Sequence, residues 1–233
     1  MKKNILFFTI LSTSLMGCPK SSSETSVQSN PSTESAEASG SEEAAELVCE
    51  LNLQTIGLAS IDKVFEDAKA LDSKVCNLID GLSSANKLIT NLGALDSLGT
   101  EIAGMITSGA VTLSVSGGSP DFSFDDTKLE GRSKDIAGAL DSLIGSIKQA
   151  KTDIPGFQTD LQNIVASAQA ALGTLPTELK EAAASGSIKP TQIPKLLKSA
   201  KGNIGELGNI KTHLGMLQEN IKESLTTITS LKK

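Results

Sequence analysis

The fold is decided by residues 61–92, which read IDKVFEDAKALDSKVCNLIDGLSSANKLITNL. The apolar residues recur at alternating steps of three and four, at Ile61, Val64, Ala68, Leu71, Val75, Leu78, Leu82, Ala85, Ile89 and Leu92. Such steps form a heptad seam, an apolar stripe along one face of a helix. The seam predicts one long helix whose stripe must be covered by other helices. Ser60 is its expected N-cap, with Asp62 in the first turn.

A second heptad seam extends over residues 136–175, and its phase is unbroken at Pro155. Proline removes an intrahelical hydrogen bond and clashes with the preceding turn, so we expect one helix that is kinked at Pro155. Pro176 is expected to end or interrupt this helix, and a short helical stretch should follow at 177–184.

The last heptad seam covers residues 197–228 and contains four glycines, Gly202, Gly205, Gly208 and Gly215. Glycine weakens a helix relative to alanine, so we expect these residues to permit a close approach between helices. Acidic side chains outnumber basic ones by 11 to 5 in residues 51–130, and basic outnumber acidic by 8 to 3 in residues 189–233. The opposite charges favour a side-by-side arrangement of the first and last helices.

Two short segments between the first and second seams alternate apolar and polar residues around a Ser-Gly-Gly-Ser-Pro turn. They predict a β-hairpin at about 110–126. One face of the hairpin, called the hairpin face below, would carry Val111, Leu113, Val115, Phe122 and Phe124. A lone hairpin is only marginally stable in water, so this face should either cap the bundle or form a tip that contacts a partner or a membrane.

These patterns together predict an all-α fold for residues 51–233. We expect an elongated antiparallel bundle of three long helices at about 60–108, 133–173 and 191–231, with the small hairpin at one end. The apolar residues are mainly leucine, isoleucine and alanine, with 3% aromatics and no Trp or Tyr. This composition suits helix–helix seams better than a core built on a sheet.

The N-terminus has the features of a secretory signal. Met1 is followed by two lysines, a short apolar run and the sequence Leu15-Met16-Gly17-Cys18. This tetrapeptide resembles the lipobox of bacterial lipoproteins. The resemblance implies that residues 1–17 are cleaved as a signal peptide and that Cys18 is lipidated with diacylglycerol and palmitate-like acyl chains, which would anchor the chain in a membrane. An ordinary secretory signal with a coincidental cysteine is the alternative.

The lipoprotein resemblance also implies a location. Pro19 follows Cys18, and by the sorting rule of enterobacterial lipoproteins a residue other than Asp at this position indicates the outer membrane. We therefore expect a lipid-anchored protein of the cell envelope, with its periplasmic or surface face undetermined. Residues 18–50 are rich in Ser and Glu and poor in apolar side chains, which predicts a disordered acidic tether after the lipidated cysteine.

Cys49 and Cys76 remain once Cys18 is assigned to the anchor. Export places them in an oxidising compartment, where a disulfide is the expected state. The segment before the first helix can reach Cys76 if it folds back along that helix. Two buried free thiols are the alternative, and a metal site is not expected because two cysteines 27 residues apart do not have zinc spacing.

Catalytic and cofactor motifs are absent from the sequence. The chain has one histidine, His213, which we expect to be a solvated or boundary residue. No phosphate-binding loop, nucleophile elbow or zinc-protease motif occurs, so we predict no enzyme activity, no cofactor and no metal. The net charge of −6 and the scarcity of aromatics indicate no nucleic-acid partner.

The resulting functional hypothesis is an envelope lipoprotein that acts as a non-catalytic binding or scaffolding module. Its partners would be the membrane, through the anchor, and a protein in the envelope or on an external surface. Two alternatives are open. A helical rod with an apolar β-tongue resembles, in layout only, the α-pore-forming toxins typified by cytolysin A. A groove between helices could instead carry a lipid or another hydrophobic ligand.

Overall fold

A computed structural model describes Cys49 and the ranges 51–116 and 119–231 of the chain. The predicted signal peptide, the predicted lipidation site Cys18 and most of the predicted tether lie outside these described residues. The described part belongs to one compact unit, residues 46–233.

The described residues form four α-helices and one antiparallel two-stranded hairpin. The elements are α1 (Ala59–Asn91), α2 (Leu95–Thr107), β1 (Val111–Ser116), β2 (Ser119–Phe124), α3 (Arg132–Ala184) and α4 (Ile193–Ser230). Single 3₁₀ turns precede α3 and α4, at Asp126–Lys128 and Pro190–Gln192. The prediction of a mainly helical bundle with one small hairpin is confirmed.

The first heptad seam is buried as predicted, apart from Leu78 and Leu92, which are half-buried. A second row at the same spacing, Phe65, Asp72 and Ile79, is buried beside it. Helix α1 contacts both α3 and α4, which also contact each other. A helix with two neighbours needs a buried face wider than a single seam, and the second row supplies it.

The start of α1 differs from the prediction. The helix begins at Ala59, and Ser60 is not its N-cap. Asp62, in the first turn as expected, accepts hydrogen bonds from the backbone N–H groups of Ile56 (2.7 Å) and Gly57 (2.8 Å). These bonds hold the chain where it turns into the helix. The Ser60 hydroxyl instead donates to the carboxylate of Glu178 in α3, at 2.5 Å.

The predicted single helix at 60–108 is wrong because α1 ends at Asn91 and α2 begins at Leu95. Gly93 lies between them with φ at +135°, a conformation that disfavours residues with a side chain. The alternation of three- and four-residue steps is disturbed at this point, because the apolar residues from Ile89 to Leu98 follow one another at steps of three, and it resumes in α2. Arg132 stabilises the chain at this break. Its guanidinium donates to the Leu92 carbonyl at 2.6 Å and pairs with Glu101 at 2.8 Å.

Helix α3 is longer than predicted. It runs without interruption through both Pro155 and Pro176 to Ala184, so the expected end or break at Pro176 is wrong. Both prolines are solvent-exposed, and each removes one hydrogen bond on a face that water can reach. The buried seam continues beyond the second proline to Leu179, which holds the final turns against the core. The kink at Pro155 stays a prediction.

The directions of the helices follow from their contacts. Ser60 near the start of α1 bonds to Glu178 near the end of α3, whereas Arg132 at the start of α3 bonds to the carbonyl just after α1. The two helices are therefore antiparallel. Helix α4, predicted at 191–231, is confirmed at Ile193–Ser230.

The predicted use of the α4 glycines is wrong. All four are exposed, and a Cβ atom built at any of them would meet no atom within 4 Å, at Gly202, Gly205, Gly208 and Gly215. A close backbone approach occurs at Gly99 in α2, where a Cβ would lie 3.2 Å from the carbonyl oxygen of Leu231. The position at which packing requires a glycine is therefore in α2, where this helix contacts the end of α4.

The hairpin is confirmed at the predicted place. Val111 pairs with Phe124, and Leu113 pairs with Phe122, so these side chains share one face. Strand β1 contacts α2, and β2 contacts α3 and α4. Within the ranges that the structure describes, no helix has both the length and the apolar character needed to span a membrane.

Candidate functional site

The two described cysteines form the predicted pair. The Sγ atoms of Cys49 and Cys76 lie at disulfide distance, 2.01 Å apart. The intervening chain folds back along α1 because Leu51, Leu53 and Ile56 are buried in the core.

The returning segment is also tied to α4. Asn203 accepts from the backbone N–H of Gln54 at 3.1 Å and donates to its carbonyl at 2.6 Å. Asn203 is 3% exposed, so these two bonds satisfy a buried amide that would otherwise be costly. The first described residues are therefore joined to α1 by the disulfide and to α4 by this side chain.

His213 is not the solvated or boundary residue that the sequence suggested. It is buried, and its Nδ1 lies 2.7 Å from Oδ1 of the buried Asp72. The side chain of His213 is 10% exposed and that of Asp72 is 4% exposed. A buried carboxylate and a buried imidazole each require a partner, and here the Nδ1–H group of His213 donates to Asp72.

The disulfide and this polar pair lie together. Asp72 and Cys76 are one turn apart on α1, and the Cys76 Sγ is 3.9 Å from Nδ1 of His213. The two Sγ atoms and a ring nitrogen of His213 lie within 4.8 Å of one another. We call Cys49, Asp72, Cys76 and His213 the disulfide cluster. It joins three parts of the chain: the segment before α1, α1 itself and α4.

Sequence reasoning missed this cluster because 137 residues separate Cys76 from His213. A weak signal was present. Asp72 lies in the second heptad row of α1, one position after the seam residue Leu71, and His213 immediately precedes Leu214 of the third seam. Polar residues that flank a seam are candidates for burial when the helix has two neighbours.

A groove with a volume of about 690 Å³ lies between α3 and α4. We call it the α3–α4 groove. Its floor is apolar, from Leu161, Val165 and Leu214. Uncharged amides dominate its edges, at Gln158, Gln162, Gln169 and Gln218, with Lys211 as the one charged residue among those that line it.

The hairpin face is turned largely into the protein. Val111 and Phe122 are buried, while Leu113 and Phe124 are half-buried. The side chain of Val115 lies outside the described residues. The rings of Phe122 and Phe124 are nearly parallel, with centroids 6.2 Å apart. Leu113 and Phe122 line a small apolar pocket of about 200 Å³ beside the half-exposed Ile106 of α2.

The acidic residues beside the hairpin bind to different protein partners. Asp121 pairs with Lys148 of α3 at 2.8 Å. A hydrogen bond from the Thr127 hydroxyl is the main cause that lowers the pKa of Asp125, and a hydrogen bond from Lys128 is the second. Because each carboxylate is used to hold the hairpin or the following turn, this acidic group acts as a structural support.

No protein-family model, curated protein or solved structure matches the chain. While Cys49 and Cys76 are joined, neither sulfur atom carries a thiol that could act as a nucleophile, and the Nδ1–H group of His213 is directed to Asp72. Within the described residues, the α3–α4 groove and the disulfide cluster are the candidate binding features.

Proposed function

We propose that the chain is a lipid-anchored protein of the bacterial cell envelope, in the outer membrane, and that it binds a partner without catalysing a reaction. The anchor would be Cys18, on the strength of the lipobox-like sequence Leu15-Met16-Gly17-Cys18. The binding body would be an elongated antiparallel bundle of three long helices, α1, α3 and α4. The order of the α1–α3 contacts supports that arrangement.

The α3–α4 groove carries the proposal. Gln158 and Gln169 lie near its ends, 11 residues apart on one helix, which corresponds to about 16 Å or three helical turns. An apolar floor of this length accepts side chains at successive turns of a docked helix. The glutamine edges can exchange hydrogen bonds with uncharged polar groups, so we propose a protein segment with an apolar face and a neutral polar border as the partner.

The same groove favours a second candidate function, the carriage of a hydrophobic ligand. Its volume of about 690 Å³ is within the usual range of small-molecule pockets, about 300–1,000 Å³. Native mass spectrometry on protein released gently from its source membrane separates the two functions. A carrier should retain a discrete ligand mass, whereas a protein-binding module should not.

The binding proposal is tested by placing a photo-crosslinking amino acid at Ala166, which lines the groove, in the full lipidated chain. Ser167 is the matched control site, because it is exposed on the same helix but does not line the groove. We expect a discrete crosslinked protein in intact cells from position 166 and none from position 167. Equal crosslinking at the two sites would contradict the proposal.

A second pair of variants tests whether the groove itself is occupied. Gly215 lines the groove and Gly205 does not, yet both are exposed positions of α4 with free space around the Cβ position. Gly215→Leu should fill the groove and abolish the crosslink from position 166. Gly205→Leu should leave it intact, and loss of the crosslink in both variants would indicate a general effect on α4.

The anchor is tested separately. Incorporation of labelled palmitate should be abolished by Cys18→Ala, and labelling that persists in this variant would refute the assignment. Crosslinking in the groove does not depend on the identity of the acyl chains, so the two tests can fail independently.

The pore-forming alternative has less support from the hairpin. Val111 and Phe122 are packed in the core, so a bilayer would meet chiefly Leu113, Phe124 and Ile106. A liposome-leakage test should therefore use Phe124→Asp with Ile106→Asp, since a charge at the buried Phe122 would disrupt folding. Leakage caused by the wild-type chain and lost in this variant would favour pore formation over our proposal.

A further inference from the structure

The presence of the disulfide does not explain why two polar residues, Asp72 and His213, are buried beside it. Asp72 and His213 are buried in a helical core, where a carboxylate and an imidazole are costly even when they are paired. A disulfide has no need of either group, and apolar residues of similar volume would pack around it at less cost. Their position beside two sulfur atoms therefore suggests a second state of the same site.

We propose that, when the Cys49–Cys76 disulfide is reduced, the disulfide cluster binds a Zn²⁺ ion through both thiolates, Nδ1 of His213 and the carboxylate of Asp72. Cysteine, histidine and aspartate are the usual protein ligands of zinc, and four of them complete a tetrahedral structural site. The cluster would thus be closed by a covalent bond in the oxidised protein and by a metal in the reduced protein.

The geometry around His213 supports this ligand set. In a tetrahedral zinc site the ligand atoms lie about 3.3–3.8 Å from one another, as follows from the usual zinc–ligand distances. The Cys76 Sγ is already 3.9 Å from Nδ1 of His213. Asp72 contacts the same nitrogen at 2.7 Å, so a metal that replaces the Nδ1 proton would lie between all three groups.

The remaining adjustments are small. After reduction the two Sγ atoms must separate to roughly the tetrahedral spacing given above. The Cα atoms of Cys49 and Cys76 are 5.8 Å apart, and Cys49 belongs to a partly exposed segment at the start of the described chain. Side-chain rotation and a shift of this segment can provide the separation without moving the helices.

The conversion is balanced with a dithiol as the reductant. The dithiol transfers two electrons and two protons to the Cys49–Cys76 bond, which yields two protein thiols and one disulfide of the reductant. Zn²⁺ then displaces the two thiol protons, which pass to the solvent, while the ring proton of His213 moves from Nδ1 to Nε2, so that the neutral imidazole binds through Nδ1. In both states the segment before α1 is held to α1, and in the metal state His213 holds α4 to the same ion.

The proposal is tested on the full chain carrying Cys18→Ser, which removes the third thiol. The protein is reduced without oxygen by a phosphine and titrated with Co²⁺, whose visible spectrum reports tetrahedral geometry and thiolate ligation. We expect one Co²⁺ per reduced chain, displacement by one Zn²⁺, and no binding to the oxidised chain. The His213→Gln variant should bind Co²⁺ at least about tenfold more weakly and with an altered spectrum.

Asn203→Ala is the matched control, because it loosens the same segment from α4 without removing a ligand. It should retain the wild-type cobalt spectrum. Three results would overturn the proposal: a reduced, folded chain that binds no Co²⁺; a His213→Gln variant with wild-type binding; or a reduced chain whose helical circular dichroism is lost and is not restored by Zn²⁺. None of these results bears on the α3–α4 groove, so the proposed function is judged separately.

Discussion

Replacing the exposed glycines Gly202, Gly205 and Gly208 by alanine should stabilise the protein. All three lie inside α4, and a Cβ atom at each would meet no atom within 4 Å. Alanine in a helix interior is favoured over glycine by about 0.5–1 kcal/mol, because the glycine backbone loses more conformational entropy on folding. The new methyl groups touch no other side chain, so the three effects should be nearly additive.

The triple variant should therefore raise the free energy of unfolding by about 1.5–3 kcal/mol, the sum of the three single effects. For a domain of this size, that gain corresponds to an increase of roughly 3–12 °C in Tm. Urea unfolding followed by circular dichroism measures the change, and the m-value should be unaltered because the same surface is exposed on unfolding.

Gly99→Ala is the control for this prediction. Its Cβ would lie 3.2 Å from the carbonyl oxygen of Leu231, so the backbone at the end of α4 would have to move. We expect no gain in stability, or a loss, at this buried position. The reasoning is refuted if the triple variant is no more stable than the wild type, or if Gly99→Ala stabilises the protein as much as a single exposed replacement does.

Three other changes have predictable effects. Asp62→Ala removes the acceptor of two backbone N–H groups at the start of α1, so urea unfolding should show a loss of about 1–2 kcal/mol, with a smaller loss for Asp62→Asn. Ser60→Ala should raise the pKa of Glu178, because the Ser60 hydroxyl is the main cause that lowers this pKa below 4.5, and carbon-13 NMR of the carboxyl group checks the shift. A lowered pKa gives stability that is present above the unfolded pKa and is lost as the pH falls through the folded pKa, so the stability difference between wild type and Ser60→Ala should shrink on acidification. Asp72→Ala leaves the Nδ1–H group of His213 buried without its acceptor and should cost about 1–3 kcal/mol in the oxidised protein, whereas Asp72→Asn should cost less.

The helices were predictable because heptad seams are local in sequence. The spacing of apolar residues identifies which face of a helix is buried, and this held for α1 and for α4 almost to their ends. The hairpin was predictable for the same reason, since its alternating residues and its turn residues all lie between Val111 and Phe124. The disulfide could be inferred from the count of cysteines and the reach of the chain.

The helix boundaries were less predictable because they depend on tertiary contacts. The break at Gly93 disturbs the apolar alternation only briefly, and Arg132 of α3 donates a hydrogen bond to the Leu92 carbonyl beside it. The continuation of α3 past Pro176 depends on the burial of Leu179 in the core. The known effects of glycine and proline indicate how much each residue destabilises a continuous helix. They do not indicate whether packing on neighbouring helices offsets that destabilisation.

The disulfide cluster could not be predicted from the sequence, because its residues come from separate parts of the chain. The same holds for the other buried polar residues of α4. Asn203 bonds to the segment before α1, and Ser224 accepts from the Asn86 amide of α1 at 2.8 Å. Both positions have the same heptad spacing as the buried apolar residues around them. Only the hydrogen-bond partner shows that a polar residue, and not a leucine, fits there.

These buried polar pairs select one register between α1 and α4. Apolar seams repeat every seven residues, so a slip of one heptad would again place apolar side chains opposite one another. The pairs occur in the same order along both helices, which makes α1 and α4 parallel. A slip of seven residues moves one helix by about 10 Å, which separates every pair at once and leaves buried polar groups unsatisfied. The register between α1 and α4 is therefore determined by two polar contacts, Asp72 with His213 and Asn86 with Ser224, while the seams supply most of the burial.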